Sequence, residues 1–348
     1  MTLPSSPNSI SFRQIQEEFG ANGSRSLGGY RISDQIEGSG LTLPLDNGIP
    51  TSGTIKFSDF RGKKLNVVVD FYSGNQDEFH VNAKSKYEEG DANTIVVGRL
   101  RNRKEQGSKI RIAVNKKFGS ATENSNQCAL RTGSWDATAQ VVVDVSANGR
   151  LLGAGGKGGD GADGIANNGE SGGDGTSGLG IEKDNTVVNV YTGGIIRAGF
   201  GGGGGGGGGR ETSKNDRRAG GGGGGGGAGF PIGLGGEGGD PPSGTDNGGS
   251  SIGSDGDDAT ETSKGFGKAG GDNEDQAFGG RGGNGADNEE TTAEDGTQPG
   301  SEHTAPPGLR GLKGSNGAAI RTTSGSVSFT FGVNNGTVTG STSATGVD

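Results

Sequence analysis

Large apolar side chains follow two rhythms along the first 150 residues and then nearly stop. Phe12, Ile15 and Phe19 fall at helical spacing behind Ser11, which forms a capping-box signature with Gln14, and Gly20 supplies a stop. A short helix is predicted there. Ile55-Lys56-Phe57 repeats the arrangement Ile10-Ser11-Phe12, so residues 1–64 read as a small N-terminal module. Its attachment candidates are Phe12, Ile15, Phe19, Phe57 and Phe60.

From Leu65 the period becomes two. Val67, Val69 and Phe71 alternate with Val68, Asp70 and Tyr72, and similar runs follow at Phe79–Ala83, Ile95–Val97, Ile110–Val114 and Val141–Val145. One more run, Val327 to Phe331, appears only near the C-terminus. These strands predict a β-sandwich-like domain over 65–152 plus 320–340, with everything between inserted into it.

The insertion is ruled by glycine. Of 80 glycines, 16 lie in residues 1–150 and 64 in the remainder, while apolar residues make up only 26% of the chain. A conventional core cannot run through the second part. Glycine recurs every third residue at 155, 158, 161 and 164, at 279, 282 and 285, and at 308, 311, 314 and 317. Three is the period of the polyproline II helix, which in glycine becomes polyglycine II. An isolated arm of this kind should be disordered, because glycine loses the most backbone entropy and has no side chain to bury. Order requires arms packed side by side, with N–H to C=O bonds between them.

One near-palindrome shows the intended folding. Ala198-Gly199-Phe200 leads into a glycine tract, Arg210 to Ala219 interrupts it, and a second tract ends in Ala228-Gly229-Phe230. The two tracts read as the arms of a hairpin, each reaching about 28 Å. Pairing the rest gives eight antiparallel arms within 153–319: 153–164 with 172–180, 199–209 with 220–229, 233–240 with 265–271, and 279–285 with 308–317. Base turns are then Ile181–Thr192, Phe230–Ile232 and Asp272–Phe278. Loops 165–171, 210–219, 241–264 and 286–307 share the tip. The fold class expected is mainly β with non-regular polyglycine II: a helical N-terminal module, a β-sandwich-like domain, and an antiparallel bundle inserted before a C-terminal strand.

Grouped polar loops on a rigid scaffold commonly form a binding surface. The candidate receptor-binding residues are Arg210, Glu211, Thr212, Ser213, Lys214, Asn215, Asp216, Arg217 and Arg218 in the hairpin. Asn167, Asn168, Asp246, Asn247, Asp257, Asp258, Glu289, Glu290 and His303 are the candidates in the other three loops. Residues 241–307 hold 14 acidic and three basic side chains. The tip therefore pairs a basic hairpin with acidic neighbours.

Charge and composition remove several classes. A net charge of −9 argues against a nucleic-acid partner. Cys128 stands alone, so no intrachain disulfide forms, and the opening Met1 to Pro7 lacks a signal-peptide pattern, which implies assembly in a cytoplasm. Gly169-Glu170-Ser171-Gly172-Gly173 matches a nucleophile elbow by composition only, without a strand before it or a helix after it. Gly155 to Asp160 and Gly235 to Asp240 begin like calcium-roll repeats, but Ala162 and Pro242 occupy the place of the required large apolar residue. No enzyme, cofactor or metal is expected. Long charged loops, with no flat Thr or Ala face, disfavour an ice-binding bundle.

The glycine hairpins, the Asn-Gly-x-aliphatic entry at Asn148-Gly149-Arg150-Leu151 and the Ile-x-Phe modules resemble bacteriophage tail-fibre tip adhesins and related glycine-rich virion proteins. The likeness covers roughly 150–325 by architecture and 8–62 by short motifs. It implies a virion tail protein whose N-terminal module joins a phage tail fibre or baseplate protein. Its tip loops would meet a bacterial outer-membrane protein or lipopolysaccharide, and a homotrimer stays open. The competing reading is a structural tail or baseplate decoration protein without direct receptor binding.

Overall fold

The computed structural model describes residues 3–19, 27, 50, 52–63, 67–71, 78–79, 81–85, 95–97, 109–120, 125–163, 167–211, 217–241, 250–273, 277–299 and 308–347. The expected helix α1 is present at Phe12–Phe19. Its capping box is reciprocal: the Gln14 N–H donates to Ser11 Oγ at 3.2 Å, and the Ser11 N–H donates to Gln14 Oε1 at 2.8 Å. The second motif closes as a short 3-10 turn, Phe57–Phe60, with the Lys56 N–H donating to Asp59 Oδ2 at 2.7 Å. Phe12 meets Phe57 edge-on, with ring centroids 6.2 Å apart.

The β region is not a two-sheet sandwich. Its strands wind into a parallel stem with three faces, five turns deep. The first turn holds β1 (Val67–Phe71), β2 (Glu78–Phe79) and β3 (Val81–Asn82), with β4 (Ile95–Val97) lying antiparallel across β1. The second holds β5 (Lys109–Val114), β6 (Lys117–Gly119) and β7 (Cys128–Arg131), and the third β8 (Gln140–Val145), β9 (Arg150–Leu152) and β10 (Ser177–Ile181). The fourth begins with β11 (Thr186–Val190) and β12 (Ile195–Arg197). Tip strands β13 (Gly209–Glu211), β14 (Arg217–Ala219), β15 (Ser250–Ser251), β16 (Asp272–Asn273) and β17 (Ala277–Phe278) intervene before β18 (Ile320–Thr322) completes that turn. The fifth is β19 (Phe329–Asn334), β20 (Thr337–Thr339) and β21 (Ala344–Thr345).

Like strands stack in parallel. One face runs β1-β5-β8-β11-β19, the second β2-β6-β9-β12-β20 and the third β3-β7-β10-β18-β21. Alternation reveals that one side of each strand is buried, but not which strand lies beside it. In-register columns reveal the stacking: Ile112, Val143 and Val188 on the first face, Phe118, Leu151 and Ile196 on the second, Leu130, Leu179 and Ile320 on the third. All nine are fully buried. The C-terminal strands do rejoin the β framework, as the late apolar run predicts.

The glycine segments leave this stem between its second and third faces. One excursion separates β9 from β10, and a much longer one separates β12 from β18. Among the described residues they form ten extended rods where the sequence suggested eight arms: 153–163, 167–176, 198–208, 220–229, 233–241, 251–259, 264–271, 279–286, 293–299 and 308–317. Rods are numbered here in chain order. Rods six and nine were read as parts of loops because alanine or proline replaces glycine at some repeat positions. Gly253, Gly256 and Ala259 keep the three-residue spacing, as do Ala293, Gly296 and Pro299.

Main-chain bonds between rods follow the same three-residue cycle. In rod four, Gly221, Gly224 and Gly227 donate to rod one, at Ala162, Gly159 and Gly156. Gly222, Gly225 and Ala228 donate to rod eight, and Gly220, Gly223 and Gly226 to rod six. Rods three, five and seven donate to the carbonyls of rod four. Rod three is similarly surrounded by rods one, two, four, eight, nine and ten. The result is three layers: rods two, one and five; rods ten, three, four and six; rods nine, eight and seven.

Position in these layers explains the composition of each rod. Rods three and four face other rods on every side, and glycine fills Gly201 to Gly209 and Gly220 to Gly227. A Cβ on Gly221 would sit 1.9 Å from the carbonyl oxygen of Gly206, well inside any tolerable contact. Rods one and eight touch both central rods and read Gly-Gly-x, with Lys157, Asp160, Arg281 and Asn284 at the remaining positions. Rod ten borders only rods two, three and nine and needs one glycine in three.

Candidate functional site

Rod direction fixes two ends of the bundle. Rods one and three start beside the stem, where Gly153 donates to Arg197 O and Ala198 to Thr339 O. At the opposite end β13 and β14 cap rods three and four as an antiparallel hairpin, with Arg210 opposite Arg218 and Glu211 opposite Arg217. β15 adds in parallel to β14, and the β16–β17 hairpin packs alongside. The paired strands Gly209–Glu211 and Arg217–Ala219 thus rise from the two central rods. Asp272–Phe278 belongs to this distal end, not to the base, because rod seven runs outward and rod eight returns.

The same correction moves four candidate residues. Asp257, Asp258, Glu289 and Glu290 lie toward the stem, since rods six and eight carry the chain back to that end before rods seven and nine run outward again. Asp257 pairs with Lys268 at 2.7 Å, and Asp258 Oδ1 accepts the Gly235 N–H at 2.8 Å. Glu290 pairs with Lys264. In the turn after rod eight, Asp287 accepts N–H bonds from Lys264, Glu289 and Glu290. Burial pushes its pKa up, but these three donors outweigh burial and hold it below the ordinary carboxylate value.

Asn167 and Asn168 do sit at the distal end. With Asp160, Asp163, Glu170 and Glu237 they line a groove of about 450 Å³ between rods one, two and five. Several of these side chains also hold the lattice together. Asp160 Oδ1 accepts the Glu237 N–H at 2.8 Å, Asp163 Oδ1 the Asp240 N–H at 2.9 Å, and Asn168 Oδ1 the Leu309 N–H at 2.8 Å. Lys157, bonded to Asp160 at 3.0 Å, has its pKa raised chiefly by that bond. Asp174, Asp255 and Asp295 do the same for Ser315, Gly238 and Lys313. On peripheral rods, N–H groups such as those of Glu237, Asp240 and Leu309 are closed by a carboxylate or amide of the adjacent rod. Part of the acidity noted in the sequence is therefore structural.

Arg210, Arg217 and Arg218 are half-buried on the hairpin stem. The backbone of Glu211 ends β13, whereas Thr212, Ser213, Lys214, Asn215, Asp216, Asp246, Asn247 and His303 lie outside the described residues. In the N-terminal module, Ile15 and Phe60 are fully buried and form its small core, Phe57 is exposed, and Phe19 ends α1.

The junction with the stem had no sequence signal. Glu261, in the turn between rods six and seven, faces Lys117 at 3.4 Å, Arg150 at 3.6 Å and Arg197 at 3.9 Å. Lys117 also lies 3.5 Å from the centroid of the Phe230 ring. Burial lowers the pKa of Arg197, and the charge of Glu261 opposes that shift. These contacts brace the bundle against the second face of the stem. Among the described residues no helix is long and apolar enough to cross a membrane, and no group of three or more His, Cys, Asp or Glu side chains is placed to hold a metal.

The described residues thus form a parallel β stem that projects a bundle of glycine rods, with the β13–β14 pair capping its far end. The chain belongs to the phage tail fibre adhesin Gp38 family, whose model matches residues 78–343. That family makes it a tail component that serves host attachment. Comparison with curated proteins and with solved structures gave no match.

Proposed function

We propose that this adhesin binds a bacterial outer-surface receptor, an outer-membrane protein or lipopolysaccharide, through the distal end of its rod bundle and without bond chemistry. The carrying observation is convergence. Five connections leave and re-enter the rods at that end, between 163 and 167, 211 and 217, 241 and 250, 273 and 277, and 299 and 308. The hairpin of Arg210, Glu211, Arg217 and Arg218 stands over the two central rods, with Asn167 and Asn168 at the rim. Thr212 to Asp216, Asp246, Asn247 and His303 belong to those connections by covalent continuity.

The rods act as polyglycine II helices, a reading supported by the three-residue donor cycle. The chain divides functionally into an attachment module at 1–64, a stem at 65–152 plus 320–340, and a bundle at 153–319. The module carries the chain on a tail fibre or baseplate protein, with Phe57 as its exposed aromatic contact. Replacing residues 212–216 by a glycine-serine segment of equal length tests the tip. Adsorption of phage to host cells should fall at least about tenfold, while incorporation into particles stays unchanged. Full adsorption by particles carrying the replaced loop would overturn the assignment of that loop.

A further inference from the structure

The brace between bundle and stem gathers like charges on one face of a sheet. Parallel register sets Lys117 of β6 beside Arg150 of β9, and Arg197 of β12 lies two residues beyond Ile195, the partner of Arg150. Adjacent strands are about 4.8 Å apart, and like charges side by side repel. Arg197 registers that repulsion: burial and then the charge of Arg150 lower its pKa, while the charge of Glu261 raises it. Such a cluster calls for an anion.

Glu261 fills that place loosely. Its two carboxylate oxygens serve three cations, with Oε2 3.4 Å from Lys117 and Oε1 3.6 Å from Arg150 and 3.9 Å from Arg197. A well-seated charge-assisted bond is about 2.7–2.9 Å long. The close contact of Arg197 goes instead to the main-chain oxygen of Glu261, at 2.5 Å. Arg197 is only 8% exposed, and its Nε is buried without a hydrogen-bond partner. The turn itself does not need the Glu261 side chain. Thr260 Oγ1 accepts the N–H groups of Thr262 and Ser263, and the Thr260 N–H donates to Ser263 O.

We propose that Lys117, Arg150 and Arg197 form a phosphate-binding site at the base of the bundle, which a phosphate monoester occupies by displacing the Glu261 carboxylate. Three oxygens around one tetrahedral centre meet three cations at once, and guanidinium groups take phosphate oxygens in pairs. The Arg150 side chain, 47% exposed, marks the side from which the group enters. Free phosphate and a phosphorylated surface saccharide share this chemistry. The site lies at the stem end of the rods, so it goes beyond the reading of the distal end and does not depend on it.

Calorimetric titration of the purified full chain tests this, with inorganic phosphate, glucose-6-phosphate and glucose as probes. The wild-type chain should bind phosphate saturably and leave glucose unbound. Glu261→Gln keeps the turn and the main-chain bond from Arg197 but removes a tethered competitor, so phosphate should bind at least about tenfold more tightly. Arg150→Ala should bind it at least about tenfold less tightly, yet melt at the wild-type temperature in phosphate-free buffer. Tighter binding of glucose-6-phosphate than of inorganic phosphate would support the site with a phosphorylated saccharide as occupant, and the reverse order would support it with free phosphate. Unchanged affinity in either variant would overturn the proposal, because the anion would then bind elsewhere. Absence of saturable binding in both the wild type and Glu261→Gln would overturn it too, leaving Glu261 as the permanent occupant.

Discussion

The stem and the bundle both hide long stretches of backbone from water, but by opposite means. In the stem, columns such as Phe118-Leu151-Ile196 fill the interior, and strand pairing follows from the need to bury them. In the bundle, rods three and four have almost no side chains to bury. Their cohesion comes from N–H to C=O bonds cycling among the surrounding rods, made at distances near those of Gly221 to Ala162, 2.9 Å. Such bonds contribute modestly one by one, roughly 1 kcal/mol each, and unmade ones in a buried lattice cost more. A core of side chains is spoiled by removing atoms, whereas a core of backbones is spoiled by adding one.

The contrast can be broken from either side. Leu151→Ala should give the largest loss, about 2–5 kcal/mol, because it empties the middle of a closed column. Thermal unfolding followed by strand circular dichroism should show the stem transition drop first, with rod amides still protected. Gly221→Ala adds one methyl where the nearest backbone oxygen would be 1.9 Å away, and should cost about 1–3 kcal/mol or more. Amide exchange should then rise in rods one, three and four while the stem keeps its protection. A neutral Gly221→Ala would mean that the lattice yields more easily than its spacing implies.

The smallest effect sharpens the comparison at the bundle's polar boundary. Asp287 has its pKa depressed in the folded chain, so its contribution is complete at neutral pH. It fades as the pH falls from the unfolded value of 3.8 through the lower folded one. Exchange of the Lys264, Glu289 and Glu290 amides should accelerate over that acid window. In Asp287→Asn the step should vanish.

What could be read from the sequence follows the same division. The capping box at Ser11 and Gln14 and the hairpin between Phe200 and Phe230 are local, and both stand in the structure. The late strand at Val327–Phe331 was legible as a return to the β framework. Pairing direction was not, because alternation in Val141–Val145 is equally compatible with a sandwich and with a parallel stack. Rods six and nine escaped because the eye follows glycine, whereas packing requires only a small residue or a proline at the contact position. Ala259 and Ala293, both nearly inaccessible, meet that condition. Four acidic site candidates moved from the tip as a direct consequence. The brace at Glu261 was invisible because its three cations come from β6, β9 and β12, which only the winding of the stem brings together.

The donor cycle gives each rod something like a reading frame. Removing one or two residues from rod one would turn Lys157 and Asp160 toward rods three and four and bring glycine to the solvent, misaligning every bond beyond the deletion. Removing three would restore the pattern and shorten the rod by about 9 Å. Rod length can therefore change by whole triplets, and only if neighbouring rods change with it. The connections at the far end carry no such frame, so they can gain or lose single residues while the lattice beneath them stays in register.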